Sequence, residues 1–274
     1  MADPPRDFYS ICDPGAQVSY VSGRRAAQWV PFLMPLLRPG LALLDCGCGV
    51  GSITLDLAER VSPGAVVGLD LDESQLALAR GVALQRGLTN VTFERGNVYA
   101  LRFPDAAFDI ALAHTLLFHL SDPLTAIKEM RRVLKKDGII AISDDDWETI
   151  TFSPEDASVR RAVDIAIRVV QHNGGDPFYS RHLRRLLLDA GFASTRGFAV
   201  AGEYYGSLEQ TRRLAKFHAT MLKNKEVRAL VTTEGWATES ELHDLAHSML
   251  EWGERKDAFY AVLYCAAIGW NQAA

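Results

Sequence analysis

The sequence lacks a basic surplus. Across 274 residues, 29 Lys and Arg face 34 Asp and Glu, a formal charge of −5. Proteins held to nucleic acid by phosphate contacts carry excess positive charge. A general polyanion binder is therefore excluded, and a nucleic-acid partner is not expected. Long apolar runs are also missing: none reaches the roughly 18–20 residues that a membrane helix needs. The N-terminus, MADPPRDFYSICDPG, has no basic start followed by an apolar stretch, so no secretory signal is read there. A cytoplasmic location is expected. Cysteine is scarce. Cys12, Cys46, Cys48 and Cys265 contain one C-x-C and no paired metal-ligand spacing, so neither a disulfide framework nor a metal site is expected. His243 and His247 fall on one face of a predicted helix, but the intervening HDLAH lacks the Glu of H-E-x-x-H.

Aromatic residues are scarce in one stretch only. The chain has 12 Phe, 8 Tyr and 5 Trp, yet residues 41–146 carry just Phe93, Tyr99, Phe103, Phe108 and Phe118. That stretch alternates short apolar runs with helical periodicity. Leu41–Leu44 ends at Asp45, Ala65–Leu69 ends at Asp70, and Val91–Glu94, Phe108–Ala113 and Ile139–Ser143 follow as strands. Helices are predicted between them. Asp72 with Gln75 resembles a capping box, Gly87 suits a helix C-terminus, and Pro123 suits a first helical turn. Such a rhythm predicts an α/β fold with a mostly parallel sheet covered on both faces. Ligands then bind beyond the carboxyl ends of the strands. After Ser143 the rhythm changes. Residues 151–256 read as mostly helical with one strand near 195–206, and 258–270 as a final, antiparallel strand.

The loop Asp45-Cys46-Gly47-Cys48-Gly49-Val50-Gly51 joins a strand to a helix. Glycines there let the backbone turn sharply and approach a ligand. A dinucleotide fingerprint would need glycine at position 52, where Ser52 stands, and no P-loop Gly-Lys-Ser/Thr follows. The pattern is D-x-G-x-G-x-G instead. Asp70 ends the next strand on the same sheet edge, where a carboxylate can accept both hydroxyl hydrogens of a ribose.

LLDCGCGVG, VVGLDLD and GNVYALRFPDAAFDIALAHTLLFHL, followed by DPLTAIKEMRRVLKKDGII, resemble class I S-adenosylmethionine (SAM)-dependent methyltransferases. The likeness is greatest to the small-molecule branch typified by ubiquinone and menaquinone biosynthesis. It implies a Rossmann-like sheet with a helical cap: a cap at 1–37, a SAM-binding core at 40–146 and a lid and substrate region at 151–256, all in one domain of residues 1–274. The implied cofactor is SAM, with S-adenosyl-L-homocysteine (SAH) as product. The implied roles are Asp45, Gly47, Gly49 and Gly51 beneath the methionine part, Asp70 on the ribose, and Leu71 against the adenine. Asn97 and Val98 would meet the adenine edge; Asn97 stands where the family often has Asp. His114 and Thr115 would flank the methionine end, and Arg24 would meet the SAM carboxylate, although Arg25 is adjacent.

The residues leave the chemistry more open. His119 is a candidate base or a structural hydrogen-bonding partner. Within Ser143-Asp144-Asp145-Asp146-Trp147, Asp145 is the candidate proton acceptor, the alternative being a solvated acidic loop. Tyr20, Trp147, Phe178, Tyr179 and Tyr204 are candidate substrate contacts, or ordinary packing. The expected reaction is methyl transfer to C, O or N of a small molecule, plausibly a specialised metabolite. The alternatives are a SAM-binding fold that catalyses cyclisation, alone or after prenyl C-methylation, and methylation of RNA or protein. Residues 1–20, with Phe8, Tyr9 and Tyr20, could fold over their own pocket or reach a neighbour's in a homo-oligomer.

Overall fold

A computed structural model describes residues 21–272. Its centre is a seven-stranded sheet in the order β3-β2-β1-β4-β5-β7-β6. The strands are β1 (Leu43–Cys46), β2 (Val66–Asp70), β3 (Val91–Arg95), β4 (Phe108–His114), β5 (Leu134–Ser153), β6 (Ser194–Tyr205) and β7 (Phe259–Trp270). β1 through β5 pair in parallel. β7 is antiparallel to both β5 and β6, so the expected fold class holds, including its reversed last strand.

The helices are α1 (Ala26–Trp29), α2 (Ser52–Val61), α3 (Glu73–Gln85), α4 (Pro123–Val133), α5 (Ala157–His172), α6 (Leu183–Asp189), α7 (Leu208–Lys223), α8 (Lys225–Thr233) and α9 (Glu239–Gly253). Their ends follow the sequence. Asp72 caps α3 by accepting from Ser74 N, and Asp122 caps α4 by accepting from Thr125 N ahead of Pro123. Gly87 takes φ +67° after α3, the left-handed turn that glycine adopts without strain. Each cap contributes about 1 kcal/mol.

Two large apolar clusters lie on opposite faces of the sheet. One joins Ile110, Leu112, Ala141, Tyr264 and Ala266 to α1, α2, α5, α7 and α9. The other joins Ala111, Ala113, Ile140 and Ile142 to α4 and α6. The alternation follows from the period of two along a strand. Most strand ends move by one or two residues, β1 running Leu43–Cys46 where Leu41–Leu44 was expected, and one strand differs more. The fifth strand was expected at Ile139–Ser143 but runs from Leu134 to Ser153, because β7 continues to pair with it. Asp144, Asp145 and Asp146 lie opposite Cys265, Tyr264 and Leu263. The acidic run is therefore ladder, not a solvated loop. The β4–β5 register shifts between Phe108 and Ile110, and Asp137 on the β5 side takes φ +63°. Among the described residues, no helix is long and apolar enough to cross a membrane.

Candidate active site

The glycine loop turns between β1 and α2 through three left-handed residues, Gly47 (φ +73°), Gly49 (φ +53°) and Gly51 (φ +73°). The N–H groups of Gly47 and Cys48 both donate to Leu69 O, at 2.7 and 3.0 Å. Gly49 N–H donates to Asp70 Oδ2 at 2.8 Å, and Asp72 N–H to Asp70 Oδ1 at 3.0 Å. The loop is thus tied to the end of β2 through the very carboxylate singled out in the sequence. Burial raises the Asp70 carboxyl above its ordinary value. Asp45 lies deeper. It is buried and accepts from Thr54 Oγ1 at 2.6 Å, and burial pushes its pKa up to about 7. A side chain at Gly49 would put its Cβ 2.9 Å from Gln75 Oε1, and one at Gly47 would meet Leu116 Cδ1 at 3.0 Å. Only glycine keeps this cradle open.

Further along the edge, Leu71 is 49% exposed, although it is apolar. Asn97 Oδ1 accepts from Tyr99 N at 3.0 Å, which closes a turn, and Val98 is buried beside it. The Asn97 carbonyl thus already holds a local bond.

The end of β4 carries the densest set of contacts. Thr115 has φ +55°, unfavourable for a β-branched residue and worth about 1–3 kcal/mol of strain. Two bonds hold it there: its N–H donates to Ser143 O at 2.8 Å, and its hydroxyl accepts from Arg24 Nη1 at 3.0 Å. Arg24 stacks its guanidinium 4.3 Å from the centre of the Trp29 ring. Arg25 is exposed and lies 3.9 Å from Asp56. Arg24, not Arg25, therefore faces this edge. His114 is buried between Trp29 and Tyr264, with ring centres 5.8 and 5.6 Å away.

The acidic run divides its work. Asp144 is fully buried, and its Oδ1 accepts from Leu116 N at 2.8 Å. Burial first, then the neighbouring Asp145, raises its pKa well above the ordinary value. Sequence reasoning did not single out Asp144; an inward strand position was the available signal. Asp145 is half-buried and accepts from Trp147 Nε1 at 2.8 Å. Asp146 is buried and takes a bidentate pair with Arg181, at 2.7 and 3.0 Å.

His119 ends a 3-10 turn, Leu117–His119, and is buried against Phe118 with ring centres 3.7 Å apart. Burial holds its pKa down at about 3. Phe118 also lies 5.9 Å from Trp147. Trp147 N–H donates to Pro177 O, and Asp176 N–H to Phe118 O. These bonds draw the half-buried Phe178 and Tyr179 toward the same corner. Tyr204 belongs to β6, but its side chain lies outside the described residues, as does Tyr20.

The description "Methyltransferase domain" matches residues 37–186. The chain belongs to the methyltransferase domain family. A probable methyltransferase, ltbC, of Aspergillus luteorubrus is 31% identical over 90% of this chain and 92% of its own length. A demethylmenaquinone methyltransferase of Lactococcus lactis is 41% identical over 36% of this chain and 40% of its own. The solved YcgJ protein of Bacillus subtilis shares the fold, with a TM-score of 0.57 at 18% identity over 89% of this methyltransferase and 98% of that chain. The resemblance drawn from the motifs therefore holds, and with it a SAM-dependent enzyme.

Proposed function

We propose that this methyltransferase moves a methyl group from SAM to a small-molecule acceptor, and that the donor lies along the C-terminal edge of β1, β2 and β4. One observation carries the proposal. Asp70 and the glycine loop are joined by the Gly49 N–H bond, so one rigid unit offers both an open backbone cradle and a carboxylate. A carboxylate has about four lone-pair sites. Two are used here by backbone N–H groups, which leaves capacity for the paired hydroxyls of a ribose. Leu71, exposed beside Asp70, supplies an apolar face for the adenine, with Asn97 and Val98 at its rim. Arg24, held beside Thr115, suits the carboxylate end of the donor because a guanidinium matches a carboxylate fork.

When bound, SAM supplies a sulfonium methyl that is displaced in line. The protein's part is orientation and exclusion of water, which supplies roughly 7–11 kcal/mol in favourable cases. Phe118, Trp147, Phe178 and Tyr179 form the wall that would exclude water from the acceptor. Where the acceptor must lose a proton, Asp145 is the candidate that takes it. With its pKa held at about 3, His119 is no stronger a base than an ordinary carboxylate. Methyl transfer is preferred to cyclisation because the family is described by that reaction. A specialised-metabolite acceptor agrees with the acidic chain and the aromatic wall.

Isothermal titration of the folded protein with SAM and SAH tests this reading. Binding is expected for both, and Asp70→Asn should weaken SAH by about tenfold or more, since a lost charge-assisted bond costs about 1.5–3 kcal/mol. Folded protein that binds neither compound at about millimolar concentration would sink it.

A further inference from the structure

The C-terminal edge holds polar side-chain atoms without a hydrogen-bond partner, among them those of His114, which the resemblance put at the methionine end. His114 ends β4, and Ser143 stands opposite it in the β4–β5 register. Matched positions on neighbouring strands put their side chains on the same face of a sheet. His114 is 7% exposed and Ser143 is fully buried. Neither imidazole nitrogen of His114 has a hydrogen-bond partner, nor does Ser143 Oγ, so the two side chains do not bond each other. A buried polar group left without a partner costs about 1–3 kcal/mol. Three such atoms at one register position are therefore a demand for an incoming group.

The chemistry of that group follows from what surrounds it. Burial first, then the Arg24 charge, lowers the His114 pKa well below its ordinary value. A neutral imidazole offers one donor and one acceptor, and a serine hydroxyl offers both. Of the nearby acids, Asp144 Oδ1 accepts from Leu116 N, Asp145 Oδ2 accepts from Trp147 Nε1, and Asp146 pairs with Arg181. An ammonium group would meet the Arg24 charge that already disfavours a cation at His114. A carboxylate would set its charge against three acids. The group that complements His114 and Ser143 is one that donates, accepts and carries no charge. Trp29 and Tyr264, with ring centres 5.4 Å apart, wall the position with aromatic surface.

We propose that His114 and Ser143 form a subsite for an uncharged hydroxyl of the methyl acceptor, seated against Trp29 and Tyr264. This rests on the methyltransferase reading and deepens it by naming the acceptor's chemistry.

The test uses the full chain saturated with SAH, and calorimetry with three probes of one ring system: 2-naphthol, 2-naphthylmethylammonium and 2-naphthoate. Naphthol should bind about tenfold more tightly than either charged probe. Ser143→Ala should weaken naphthol about three- to tenfold, the worth of one hydrogen bond, with SAH affinity kept. His114→Phe, measured at its own saturating SAH, should erase the preference. It should leave the melting temperature equal or higher, since it removes unpartnered polar atoms from the interior. Equal or tighter binding of a charged probe, unchanged naphthol binding in both variants, or no binding of any probe to SAH-loaded protein would each overturn the subsite. Failure to bind SAH would overturn the donor reading instead.

Discussion

Asp45 carries its charge at a cost. Burial raises its pKa from 3.8 to about 7 even though Thr54 donates to it. The folded state therefore holds more protons than the unfolded state between those two pH values, and this group's contribution to stability falls as pH rises through that window. Asp45→Asn keeps an oxygen for the Thr54 hydroxyl and removes the ionisation. The variant and the parent should be similar near pH 4. The variant should gain steadily until about pH 7 and stay ahead above it, by at most about 4 kcal/mol. Thermal melts without ligand across pH 4–8 check this, and a constant difference would refute it. His119 has the opposite sign: burial lowers its pKa from 6.5 to about 3. Its NMR ring signals should stay at neutral-imidazole shifts down to pH 5, and a midpoint near pH 6.5 would show an open site. The motif residues were legible in the sequence because glycine and aspartate stand there against an apolar background. Asp144 was not, because a polar letter just past an apolar run reads as loop. Pairing with β7 carries the strand through it.

At the scale of the element, the strand–turn–helix unit from β1 to α2 shows what local pattern can and cannot specify. Apolar runs placed β1 to β4 within two residues, and Asp72, Gly87 and Pro123 marked helix ends. The extent of β5 beyond Ser143 depends on a partner strand more than 100 residues later in the chain, and no local window contains that information. Within the unit, the three glycines are not equivalent. A Cβ on Gly49 meets the flexible end of Gln75, whereas one on Gly51 would lie 2.8 Å from the Phe93 ring and 3.0 Å from Ala79 Cβ. Both positions add the left-handed penalty of about 1–2 kcal/mol. Gly51→Ala should therefore destabilise by more than Gly49→Ala, by about 1–3 kcal/mol of overpacking. Urea melts of the two variants decide it, and the reverse order would mean that the Phe93 ring moves freely.

For the molecule as a whole, the aromatic asymmetry marks a division of labour. The aromatic-poor sheet lets glycine turns and small side chains approach closely. The aromatic-rich flanks supply Trp29 and Tyr264, which wall the proposed acceptor subsite. The chain also enters the site from its N-terminal side. Val21 O accepts from Ser52 Oγ at 2.9 Å, at the first residue of α2, and Arg24 reaches Thr115 three residues later. Val21 thus stands at the start of α2, beside the glycine loop. Residues 1–20 contain Phe8, Tyr9 and Tyr20. Deleting residues 1–15 should lower SAH affinity by about threefold or more while the ligand-free melting temperature moves by no more than about 2 °C. The apolar clusters on both faces of the sheet are built from residues at Ala26 and beyond among the described residues, and about 1 kcal/mol of global stability would already shift melting by roughly 2–4 °C at this size. Sedimentation of the deleted protein separates two arrangements. A smaller assembly would mean that the segment reaches a neighbour's site, and an unchanged one that it serves its own. Unaltered SAH binding after the deletion would remove the segment from the site altogether.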